Sequence, residues 1–162
     1  MQATNNIELF PKPKTRFLYR LETKRVKEPD FPYPAKPARN IAEVLEIVKC
    51  MGDYDIEKMV VLFLDAGNHL IGVYIQPGTL CEAAVFVREI CKHALLNCAA
   101  AMILIHNHPS GSAPKPSDCD LRLTQGIVQG ARILGICVHD HIIVTQREDG
   151  LNYYSFKENE DI

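Results

Sequence analysis

Apolar positions along the chain fall into runs and periods that predict an alternation of strands and helices. Met59 to Leu64 is a short, unbroken apolar run, the pattern of a strand buried on both faces. Asp65-Ala66-Gly67-Asn68 reads as a turn, and Leu70 to Ile75 returns as the second strand of a hairpin. Ala99 to Ile105 is the most apolar run of all and reads as a central strand. Ile136 to Thr145 gives one or two further strands, and Arg147-Glu148-Asp149-Gly150 turns into a last one over Tyr153 to Phe156. Between these lie helical spacings. Ile41, Val44, Leu45 and Val48 share a face, with Asn40 as N-cap, Glu43 as its box partner and Gly52 as the close. Val85 to Leu96 carries Val85, Ile90, Ala94 and Leu95 inward, and Ser117 to Leu134 is a long helix with Gly135 at its C′ position.

The N-terminal quarter differs. Residues 1–14 have no periodic pattern. Phe17, Tyr19 and Leu21 alternate within Thr15 to Val26, which reads as an amphipathic edge strand. Pro29, Pro32, Pro34 and Pro37 make Glu28 to Arg39 an extended connector. The order β-α-β-β-α-β-α-β-β predicts an α/β fold in which helices pack on a mixed sheet. Two regions follow: a basic, Pro-rich arm over 1–39 and a domain over 40–162.

Charge sharpens that division. Residues 1–40 hold nine Lys/Arg against four Asp/Glu, whereas the rest hold nine against sixteen. Such an arm admits nucleic-acid or partner contact, but a solvated tail or a charged edge strand explains it as well and is the preferred reading. A hydrophobic content of 47% and a charged content of 23% argue against disorder. Membrane insertion is not expected either, since no apolar stretch is long enough to span a bilayer. The start of the chain has no basic-then-apolar leader pattern, and the six cysteines form no C-x-x-C pair. A cytoplasmic, reducing setting is therefore expected.

The candidate chemistry lies where the central strand ends. His106 and His108 stand at i and i+2, so both imidazoles can aim at one point. Pro109 and Gly111 then turn the chain, and Ser117 and Asp120 follow. Ser117-x-x-Asp120 is also a capping box, and the sequence leaves cap and ligand open for Asp120. Two imidazoles and a carboxylate are three protein ligands, which leave a fourth position for water, as in catalytic rather than structural zinc sites. Such a site needs a proton acceptor that is not a ligand. Glu57, before the first strand, and Glu89, on the following helix, both qualify, and periodicity does not choose. Cys119 diverges from Asp120 on the helix and is a poor fourth ligand. Asp140 and His141 are candidates to support a ligand from behind, or simply to tie the sheet end.

Together, Glu57, His106-Asn107-His108-Pro109-Ser110-Gly111, Ser117-x-x-Asp120 and Asp140-His141-Ile142-Ile143 resemble the JAMM motif of JAB/MPN metalloproteases. More specifically, the chain resembles the RadC-like JAB-domain family of bacteria, over roughly residues 40–158. It implies a curved mixed sheet sandwiched by helices, the JAB/MPN, cytidine deaminase-like architecture. It implies one zinc ion per chain on His106, His108 and Asp120. It makes Glu57 the residue that activates zinc-bound water, and Ser117 the candidate that polarises the scissile carbonyl or steadies the oxyanion. The implied activity is hydrolysis of peptide or isopeptide bonds in a protein or peptide substrate. Two departures stand out. Eight residues, Pro109 to Pro116, separate the second histidine from the serine, where the family usually has seven. Val87 replaces a proline common before Arg-Glu.

The alternative is a DNA-repair-associated or partner-binding module whose metal is structural or vestigial. The intact set of Glu57, His106, His108, Ser117 and Asp120 speaks for the enzyme. A nucleobase deaminase shares the implied fold, but its H-x-E and P-C-x-x-C signature is missing from the sequence.

Overall fold

A computed structural model of the chain describes Glu22, Lys24, Ala38 and residues 40–77, 83–111, 113–147 and 150–162. The expected edge strand over Thr15 to Val26, the Pro-rich connector and the turn at Pro77-Gly78 lie largely or wholly outside these residues.

Helix α1 spans Ile41–Ile47, and Asn40 caps it by accepting a hydrogen bond from the Glu43 N–H at 3.0 Å. The apolar pattern continues past α1, but as a separate 3₁₀ turn, Lys49–Asp53, so Gly52 sits inside that turn instead of closing the α-helix. Strands β1 (Lys58–Leu64) and β2 (Leu70–Pro77) form the expected hairpin. Helix α2 (Ala83–Leu96) leads to β3 (Ala101–Asn107), and α3 (Asp118–Ile133) leads to β4 (Cys137–Arg147) and β5 (Gly150–Ser155). The region Ile136 to Thr145 is therefore one strand. Gly135 has φ +71, the left-handed conformation expected of a residue just beyond a helix.

The strands make one sheet in the order β2-β1-β3-β4-β5. Only β3 and β4 are parallel, with α3 as their crossover. Helices cover both faces. Met59, Val61, Phe63, Met102 and Leu104 pack with Ile90 and Ala94 of α2 and with Leu123, Ile127 and Ala131 of α3. Val60, Leu62, Leu64, Ile103 and Ile105 pack with Val44, Val48 and Met51 on the other side. All seven positions of β3 are buried, which is why its sequence shows no alternation. Ile90 and Ala94 of α2 face the core as expected, whereas Leu95, expected to face inward, is 53% exposed. Among the described residues, no helix is long and apolar enough to cross a membrane.

Candidate metal centre

The C-terminal end of β3 opens onto the face covered by α2 and α3. His106 continues the Met102 and Leu104 alternation and is fully buried, and His108, one step past the strand, is half-buried. The His108 N–H bonds the Val144 carbonyl at 2.9 Å, which keeps it in line with the sheet. The first turn of α3 brings Asp120 to the same point. His106 Nε2 lies 3.1 Å from His108 Nε2 and 3.3 Å from Asp120 Oδ1, and His108 Nε2 is 3.8 Å from Asp120 Oδ2. One donor atom from each residue falls within 4.8 Å of the others, and the group could hold a metal ion.

Asp120 caps the helix and still faces both histidines, so capping does not exclude a ligand role. Oδ2 accepts from the Ser117 N–H and the Ser117 hydroxyl, both at 2.7 Å, while Ser117 Oγ accepts from the Asp120 N–H at 3.2 Å. This is a complete capping box. Oδ1 is left facing His106. The extra loop residue does not displace the carboxylate, because Leu123, Ile127 and Ala131 fix the helix register in the core. Pro114, expected on an outward bulge, is instead buried.

Behind His106 runs a chain of hydrogen bonds that sets which nitrogen carries the proton. The Thr124 hydroxyl has one proton and gives it to the Asp120 carbonyl, at 2.6 Å. Its oxygen must then accept from His141 Nδ1–H, also at 2.6 Å. His141 Nε2 therefore accepts from His106 Nδ1–H at 2.8 Å. That leaves the lone pair of His106 Nε2 pointing at His108 and Asp120. Phe156 stacks on the His141 ring, 4.6 Å between centroids. Burial pushes His106 down to about 4, with Asp120 opposing and His108 assisting, and burial likewise holds His141 well below the imidazole range. Both rings are neutral near pH 7, as metal coordination and this proton arrangement require.

Glu57 enters from the strand beside β3, near enough to Asp120 for the two carboxyls to interact. It precedes β1 and is half-buried, and its carboxyl is raised above the usual range by burial and then by the nearby Asp120 carboxylate. Asn107, pointing away from the two histidines, fastens this segment. Its Oδ1 accepts from the Lys58 N–H at 2.8 Å, and its Nδ2 donates to the carbonyls of Ile56 at 3.1 Å and Tyr54 at 3.4 Å. Glu89 is elsewhere, on the surface of α2, paired with Lys92 and Arg88. Asp140 is not brought to the site. It accepts from the Ser155 hydroxyl at 2.6 Å and from the Lys157 N–H at 3.0 Å, and lines a cavity against α1. Cys119 accepts from Arg122 at 3.5 Å and is not one of the clustered donors.

Thr124, Asn107 and Phe156 have site roles that the sequence reading did not assign. For Thr124 a signal existed: it stands four residues after Asp120, on the same helix face.

A mixed sheet between helices, with a His-x-His strand end meeting an Asp at a helix N-terminus, defines a JAB-type domain. The model of the RadC-like JAB domain family matches residues 38–161, and the chain belongs to that family. It is 42% identical over 115 residues to a UPF0758 protein of Streptococcus agalactiae serotype Ia, covering 69% of this chain and 48% of that protein. A UPF0758 protein of Janthinobacterium sp. is 44% identical over 110 residues, 67% of this chain and 47% of that one. The chain thus spans about half the length of the curated relatives it matches.

Proposed function

We propose that the domain is a single-zinc hydrolase of peptide or isopeptide bonds in protein or peptide substrates. The observation that carries this reading is the joint presence of three converging donors and a half-buried carboxylate that is not among them. Two imidazole nitrogens and one carboxylate oxygen suit zinc, and three protein ligands are the number found in catalytic sites. When bound there, zinc supplies a Lewis acid and brings the pKa of a coordinated water to about 7.

The chain's own residues supply the rest. Glu57, with its pKa raised, takes a proton from the attacking water on a carboxylate oxygen and returns it to the leaving amine. Ser117 is exposed, and its hydroxyl is the side-chain donor offered to the substrate carbonyl. Turning to that oxygen breaks its bond to Asp120 Oδ2, which still holds the Ser117 N–H at 2.7 Å. Thr124 and His141 keep the His106 Nε2 lone pair available throughout.

Metal analysis and peptide-library cleavage on one preparation test the proposal. Wild type should hold about one zinc per chain and cleave. His106→Ala with His108→Ala should lose both, and Glu57→Gln should keep zinc and lose cleavage. Full zinc occupancy with no cleavage of any peptide or isopeptide substrate would leave a structural metal instead.

A further inference from the structure

A second constellation lies away from the metal centre, at the start of β4. The pairing of β3 with β4 shifts between Met102/Val138 and Ile103/Asp140, so His139 is the extra residue of a β-bulge. Bulges re-aim the side chain they carry. Here the His139 ring is held between two polar partners. Its Nε2 lies 2.8 Å from the Asn68 side-chain oxygen, and its Nδ1 lies 3.6 Å from Cys137 Sγ. An amide oxygen only accepts, so Nε2 carries the ring proton and Nδ1 presents its lone pair to the thiol. Asn68 is itself held: it occupies the β1–β2 turn at φ +63, and its carbonyl accepts from the Ala38 N–H at 3.1 Å.

We propose that Cys137, His139 and Asn68 form a second reactive site, a thiol nucleophile with its own oriented base, that takes small disulfides. Thiol, base and orienting amide are connected in the order used by cysteine nucleophiles paired with histidine and asparagine. Cys137 is exposed, so a substrate can reach it. Burial and the charge of Lys157 lower the pKa of His139, so the ring is neutral and able to accept near pH 7. Lys157, Asp140 and Glu158 line the same cavity of 580 Å³ as His139 and Asn68. The Cys137 N–H is already given to the Ala100 carbonyl at 3.0 Å and cannot support an oxyanion. That favours disulfide exchange over acyl transfer, since exchange develops charge on sulfur rather than on a carbonyl oxygen.

In the step, the Sγ proton passes to His139 Nδ1 and Sγ attacks one sulfur of the disulfide. A new S–S bond forms and the old one breaks, with its electron pair leaving on the second sulfur. That sulfur takes the proton from His139 and departs as a thiol. The small disulfide is the oxidant, and Cys137 is oxidised to a mixed disulfide.

The test uses the full chain as purified, with oxidised glutathione as probe and peptide mass mapping over time. Cys98, exposed and without a histidine contact among the described residues, is the internal reference. Cys137 should be modified at least about tenfold faster than Cys98, the lower end of what an oriented base provides being somewhat larger still. His139→Ala should bring Cys137 to the Cys98 rate. Asn68→Gly, which tolerates positive φ, should slow it several-fold while leaving the turn intact. Equal rates at Cys137 and Cys98, an unchanged rate in His139→Ala, or faster reaction at Cys119 beside Arg122 would each overturn the proposal. None of these outcomes bears on the zinc reading, which is tested by metal content and cleavage.

Discussion

Replacing Thr124 by valine keeps the side-chain volume and removes one hydroxyl, 2.6 Å from both the Asp120 carbonyl and His141 Nδ1. Thr124 is 1% exposed and His141 fully buried, so water cannot easily replace the lost partner. Two responses are open to the protein. If the proton arrangement is kept, His141 Nδ1–H is orphaned at a cost of about 1–3 kcal/mol. If His141 moves its proton to Nε2, it must donate to His106 Nδ1, and the His106 proton shifts to Nε2. The lone pair aimed at His108 and Asp120 is then lost. Either route weakens metal binding or stability, and the second falls chiefly on the metal, with a bare His141 Nδ1 lone pair left in place of an orphaned N–H. Loss of a partner behind a ligating histidine typically lowers metal affinity about 10–100-fold. Zinc affinity, read by competition with a chromogenic chelator, should fall in that range for Thr124→Val and stay near wild type for Thr124→Ser. Unfolding of the metal-free forms separates the two routes. Wild-type zinc affinity and wild-type stability together in Thr124→Val would refute the deduced proton order.

Ser117→Ala removes the N-cap oxygen and one of two donors to Asp120 Oδ2, and should lower denaturant stability by about 1 kcal/mol while weakening metal retention. Asn107→Ala unfastens the segment carrying Glu57, so the Lys58 amide should exchange with solvent much faster while zinc affinity changes little. The metal-free protein should lose stability as pH falls from 6.5 towards 4. There the unfolded chain protonates His106 and His141 while the folded one does not, so stability rises with pH across that window and is fully present above it. Thermal unfolding across that range checks the sign, and a flat profile would show that the buried rings are not neutral. Deletion of residues 1–38 should leave DNA binding at physiological salt as weak as in the full chain, and tight, salt-sensitive, arm-dependent binding would contradict that expectation.

The sequence made the sheet strands legible because burial on both faces leaves unbroken apolar runs at Met59 to Leu64 and Ala99 to Ile105. It also placed His106 and His108 together, since alternation along a strand is strict. What it could not decide was a matter of contact across the fold. Asp140 and His141 are neighbours, and alternation sends one to each face. Only the packing shows that His141 meets His106 while Asp140 meets Ser155. Glu57 and Glu89 are equivalent as sequence, yet Asn107 ties the segment of one to β3, and the other pairs with Lys92 on a helix surface. His139 gave no sign, because a bulge shifts register without changing composition.

The double use of Asp120 accounts for its place beside the two histidines. Here one oxygen is committed to the N-terminus of α3, where it accepts from both the Ser117 N–H and the Ser117 hydroxyl. Folding of α3 onto Leu123, Ile127 and Ala131 therefore delivers Oδ1 to His106 as a by-product of capping. The Thr124 hydroxyl, one turn later on the same helix, sets the proton order of His141 and His106 by the same docking event. One helix thus places one candidate donor and orients another, and the length of the loop before Ser117 matters only insofar as it lets that helix dock. Eight residues between His108 and Ser117 therefore still leave Asp120 beside both histidines.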